Sequence, residues 1–140
     1  MNTTSRFAAG MLISGAAFAC AAGIAGGGAA SAAPQVCGAL PGQSSTMAHC
    51  SATAKSDAIS LAISDNGGVA TADARGLSGP AAIALGPDSS VTATGWKPGL
   101  AIGIAGPGAQ VVIDGKNGPV CTGKGFAFAG DFQTLKGCWQ

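Results

Sequence analysis

The residues able to do chemistry in this 140-residue chain are few. His49 is the single histidine, glutamate and tyrosine are absent, and the acidic side chains are six aspartates: Asp57, Asp65, Asp73, Asp88, Asp114 and Asp131. Any Ser-His-Asp or Cys-His nucleophile has to use His49, which adjoins Cys50. General acid-base work needs a second titratable group held against the first. Here every aspartate falls in or beside a Gly/Pro/Asn-rich turn, where solvated capping is its expected role. Gly118-Pro119-Val120-Cys121-Thr122-Gly123-Lys124-Gly125 approaches a phosphate-binding loop. Gly125, however, stands where a Ser or Thr must hold magnesium, and a strand-like segment follows where a helix is required. Gly76-Leu77-Ser78-Gly79-Pro80 misses a nucleophile elbow by one position. No catalytic constellation, metal site or cofactor is expected.

Cys37, Cys50, Cys121 and Cys138 form an even set with 12 and 16 residues inside the first and last pairs, counted along the sequence. Zinc sites favour ligands two to four residues apart. In an exported small domain an even set reads as disulfides, with three pairings open. Cys37–Cys50 and Cys121–Cys138 are preferred, because each cysteine then takes its nearest partner and clips one end of what lies between. Such a clip contributes about 3 kcal/mol by restricting the unfolded chain. Trp96, in Gly95-Trp96-Lys97-Pro98-Gly99, places an indole on a turn beside a cation. Trp96 and Lys97 are therefore candidate contact residues for a protein, glycan or envelope partner.

The elements positioning these residues are strands. Short apolar runs (AISLAIS, AAIALG, LAIGIAG, QVVID, GFAFAG) alternate with period two and close on Gly, Pro, Asp or Asn. The glycine density disfavours helix. Two interleaved sets of starts are visible, near Ala58, Ala81, Leu100 and Pro119, and near Val69, Ser90, Ala109 and Gly125. A unit of roughly twenty residues carrying two strands is the mark of stacked coils that bury their apolar faces on one another. The expected fold is all-β: a Gly/Ala-rich β-roll or β-solenoid-like array clipped by disulfides. A small antiparallel sandwich or barrel is the alternative. Ile59, Leu61 and Ile63 fall on one side of their strand, and Ala58, Ser60, Ala62 and Ser64 on the other. The small set is expected outward, where it would let coils or subunits approach closely.

Residues 1–32 carry Arg6, an apolar run from Phe7 to Ala25 and the small-x-small site Ala30-Ser31-Ala32, the pattern of a secretory signal peptide. Residues 33–57 follow as a cysteine-clipped loop and 58–140 as the strand array. No transmembrane segment is expected after cleavage. Beyond the leader the charges are sparse and balanced, with Lys55, Arg75, Lys97, Lys116, Lys124 and Lys136 against the six aspartates. No basic patch of the kind that neutralises phosphates is present, which argues against nucleic acid.

Ala82-Ile83-Ala84-Leu85-Gly86-Pro87-Asp88-Ser89-Ser90 resembles the head-domain repeat of trimeric autotransporter adhesins, a resemblance that implies a left-handed parallel β-roll. Over its whole length the chain resembles a family of small secreted actinobacterial proteins of unknown function. The shared features are the alanine-rich leader, the four later cysteines and a segment like Ala101–Val111. That resemblance implies export and fold and brings no activity. The expectation is an exported, non-enzymatic protein acting by surface contact at or outside the envelope, with a homo-oligomer as the assembly that close approach of small outward residues would allow. A module binding an apolar envelope ligand is the alternative.

Overall fold

The computed structural model describes residues 33–140, so the expected leader at 1–32 lies outside the described residues. Twelve strands form two six-stranded sheets. In chain order they are β1 (Gln35–Ala39), β2 (Ser44–Thr46), β3 (Cys50–Ala54), β4 (Ser60–Asp65), β5 (Val69–Ala74), β6 (Ser78–Leu85), β7 (Ser90–Gly95), β8 (Gly99–Ala105), β9 (Ala109–Ile113), β10 (Val120–Gly123), β11 (Ala127–Asp131) and β12 (Lys136–Trp139). The first sheet runs β1-β4-β6-β8-β11-β12 and the second β10-β9-β7-β5-β3-β2. Between β3 and β9 the chain steps alternately from one sheet to the other. Pairing within each sheet is parallel there, β4–β6–β8 in the first and β3–β5–β7–β9 in the second. The result is a β-solenoid of about three turns.

Both ends of the solenoid are closed by antiparallel strands: β1 on β4 and β2 on β3 at one end, β10 on β9 and β11–β12 on β8 at the other. Residues 33–57, expected as a loop, therefore carry three strands. Their Gly/Ser-rich sequence lacks apolar periodicity because β1 and β2 are edge strands (Ser44 and Thr46 of β2 face solvent), and pairing with an existing edge holds them. The two expected sets of starts exchange sheets in the last unit. Asp114-Gly115-Lys116-Asn117-Gly118 reverses the chain, so that β10 pairs back onto β9 in the second sheet and β11 onto β8 in the first. Gly115 at φ 69° and Gly118 at φ 99° supply the left-handed backbone this reversal needs.

The core reverses the expected polarity of the alternation. Ala62, Ala82, Ala84, Ala105, Ala129, Ala72 and Ala93 are buried between the sheets, together with Ser60, Ser64 and Ser78, while Ile59, Leu61 and Leu85 are exposed. The small residues face in because the space between the sheets is narrow. A Cβ built on Gly103 would lie 2.8 Å from Val91 Cγ1 and 3.0 Å from Val111 Cγ1. Val91, Val111 and Ile113 of the second sheet fill the interior, and Gly103 opposite them leaves no room for a larger side chain. The disulfides are Cys37–Cys50 and Cys121–Cys138, as the nearest-partner argument holds.

Candidate functional site

Registered pairing lines up the outward side chains of the first sheet in rows across all six strands. One row reads Val36, Ile63, Ile83, Ile104, Phe128, Trp139. Two residues along each strand the neighbouring row reads Gly38, Leu61, Ala81, Ile102, Gly130, Gly137. A third row begins with Gly79 and Leu100, and Phe132 follows β11 at the same end, its N–H bonded to Leu100 O at 3.0 Å. These rows contain no charged side chain. Val36 is 39% exposed, Leu100 62%, Phe128 42%, Phe132 66% and Trp139 83%. The face is continuous and free of charge, which is more than a scatter of single exposed apolar residues. The outward face of the second sheet is mixed: Ser51, Thr53, Thr71, Asp73, Thr92, Thr94 and Gln110 make its middle hydroxyl-rich, while Val69, Val112 and Val120 are exposed on it singly or as a pair.

Two shallow hollows of about 260 and 250 Å³ flank Phe132 on the apolar face. One is lined by Gly130, Asp131, Phe132, Leu135 and Lys136, the other by Gly79, Ala81, Leu100, Ala101, Ile102 and Phe132. They exist because Gly79, Ala81 and Gly130 leave the sheet bare between large neighbours. Asp131 is buried at the floor of the first hollow and is satisfied locally, accepting from Gln133 N–H at 2.8 Å and from Thr134 Oγ1–H at 3.0 Å.

Trp96 stands at the corner between β7 and β8, 41% exposed, apart from the apolar rows. The Arg75 guanidinium and the Lys116 ammonium each lie 4.5 Å from its ring centroid. Stacked coils bring the three together, since Ala74 and Gly95 pair directly before Arg75 and Trp96. The turn is pinned by Gln133, whose Oε1 accepts both Trp96 N–H and Lys97 N–H at 3.0 Å. Asp73 holds Arg75 through a 3.0 Å ion pair. The indole is thus braced between two cations, with Lys97 beside it exposed to solvent.

His49 is exposed at the start of β3, and its backbone N–H donates to Gln35 Oε1 at 2.8 Å. Among the described residues no three His, Cys, Asp or Glu side chains gather as a metal site, and no helix is long and apolar enough to cross a membrane. The Asp114 carboxyl is held below its ordinary range, chiefly by the Asn117 and Lys116 backbone N–H groups and the Asn117 side-chain amide that it accepts from. It organises its own turn. No family model matches the chain, and comparison with curated proteins and with solved structures found no significant match.

The alternation that builds the apolar face was visible in the sequence, but its side was not assigned correctly. The signal that assigns it lies in the other set of strands. Thr71, Asp73, Thr92 and Thr94 must face water, which turns Ala70, Ala72, Ala74 and Ala93 inward and leaves the interior too narrow for Ile or Leu from the opposite sheet.

Proposed function

We propose that this chain is an exported, non-enzymatic module that acts by surface contact at or outside the cell envelope, through the outer face of the first sheet. The observation that carries this reading is the row Val36–Ile63–Ile83–Ile104–Phe128–Trp139, which places large apolar side chains on the outside of a domain whose interior is mostly alanine. In a solitary domain that arrangement forfeits part of the burial of its largest aliphatic side chains, since Ile63, Ile83 and Ile104 are half-buried by their row neighbours and full burial is worth about 1.5–3 kcal/mol each. A partner recovers it. The groups able to do chemistry support the non-enzymatic part: four cysteines are consumed in disulfides, Asp114 and Asp131 cap their own turns, and Asp73 holds Arg75.

The test is to place a charge on the row and compare binding with folding. Ile104→Lys is expected to lower retention of the protein on envelope fractions at least tenfold while leaving its thermal melting within a few degrees, because Ile104 faces outward. Undiminished retention sinks the reading. The hollows beside Phe132 favour a second reading, in which a small apolar envelope ligand lies on this face. It would sit there and not between the sheets, where Gly103 already approaches Val91.

A further inference from the structure

We infer that the occupant of the apolar face is a second copy of this chain, packed sheet against sheet about a two-fold axis that lies between the faces and runs across the strands. This rests on the contact-surface reading above and names the partner of that surface. The face is self-complementary, as an isologous interface demands. The face is a ridge beside a groove: the ridge row is large at all six positions, and the neighbouring row is Gly or Ala at Gly38, Ala81, Gly130 and Gly137.

The two rows are two residues apart along each strand, about 6.6 Å. An axis running midway between them sets the ridge of each copy over the groove of the other and keeps each strand over its own counterpart. Val36 then faces the partner's Gly38, Ile83 the partner's Ala81, Phe128 the partner's Gly130 and Trp139 the partner's Gly137. At β4 and β8 large residues meet large ones, Ile63 over the partner's Leu61 and Ile104 over the partner's Ile102.

The same axis reverses strand direction between copies, so opposite rims of the face meet. The rim where β4, β6 and β8 begin carries Lys55, Lys97, Lys116 and Lys136 against Asp57 and Asp114, with Arg75 paired to Asp73 and Asp131 buried; the rim where these strands end carries Asp65 and Asp88 against Lys124. A slightly basic rim therefore lies over a slightly acidic one, in the register that the apolar rows select. The face also has adequate size. Six strands at about 4.8 Å and three rows plus rim make a plane of roughly 25 by 20 Å. That is about 500 Å² per partner in projection, or about 1,000 Å² for the pair, the low end of the range for a specific interface.

The oxidised chain in its exported form is run on size exclusion with mass detection over a hundredfold concentration range, alongside binding of an apolar fluorescent dye and of neutral phosphatidylcholine vesicles. Wild type is expected at twice the chain mass, with little dye bound. Ile83→Lys on the ridge should dissociate at least a hundredfold more readily and expose the dye site, while still melting cooperatively at a temperature lowered by no more than the lost association accounts for. Ala81→Leu, which fills the groove without adding charge, should weaken association about tenfold, and Thr92→Lys on the opposite sheet should leave it unaltered. The inference is overturned if wild type is monomeric or trimeric throughout, or if Thr92→Lys dissociates as Ile83→Lys does. A monomer that binds dye or vesicles through this face would keep the contact surface and replace its occupant; a monomer that binds neither would remove both readings.

Discussion

Cys37 and Cys138 stand at opposite ends of one inward row of the first sheet, Cys37–Ala62–Ala82–Gly103–Ala129–Cys138, with one residue from each strand. Their partners end the facing row of the second sheet, Cys50–Ala70–Val91–Val111–Cys121. Each disulfide therefore ties sheet to sheet at one end of the stack, where a coil has only one neighbour and its narrow alanine interior supplies the least burial.

Removing either clip by paired Cys→Ala substitution is expected to cost about 3 kcal/mol, and removing both about the sum, because the two clips share no contact. The loss should be local. Hydrogen exchange in the Cys37/Cys50 variant should accelerate in β1 and β2 and leave β11 and β12 protected, with the converse for Cys121/Cys138. Uniform deprotection from a single loss would show that the stack unfolds as one unit.

Gly103→Ala is expected to destabilise by about 1–3 kcal/mol, since the added methyl meets Val91 Cγ1 at 2.8 Å in an interior that cannot widen at one rung. Val91→Ala in the same chain should recover part of that loss. Urea midpoints of the two single variants and the double variant measure the coupling, and strict additivity would show that the two residues do not compete for space.

Trp96→Ala removes two cation–π contacts, from Arg75 and Lys116, each about 0.5–1 kcal/mol at an exposed site. A fall in stability of about 1–2 kcal/mol is expected, with self-association unchanged because Trp96 lies off the apolar rows. If instead stability holds and partner binding falls at least tenfold, the indole and Lys97 are themselves the contact.

Acid should loosen the β9–β10 turn first. The Asp114 carboxyl is depressed in the folded protein by amide donors that the unfolded chain does not hold in place. Its stabilisation is therefore present above the unfolded-state value and is lost as pH falls through the folded-state value. Asp114→Asn should flatten that acid limb in a pH series of melting temperatures, and an unchanged limb would show that the turn does not carry it.

Much of this architecture was legible in residue types. Period-two runs closed by Gly, Pro and Asp give strands, their roughly twenty-residue recurrence gives coils, and an even cysteine set gives two clips at nearest spacing. Those are local properties, set by backbone sterics, turn chemistry and loop length. The edge strands β1 and β2 were not legible, because a strand held by pairing at an edge needs no apolar period of its own. Nor was the exchange of sheets after Ile113, which depends on the direction in which one glycine-rich turn reverses the chain. Above all, alternation separates Ile59, Leu61 and Ile63 from Ala58, Ser60, Ala62 and Ser64 without saying which set is inside. Tertiary structure decides that: Val91, Val111 and Ile113 on one sheet occupy the shared interior, the opposite sheet meets them mostly with Gly, Ala and Ser (Pro80, Asp131 and the end cysteines apart), and its Ile and Leu side chains are turned outward.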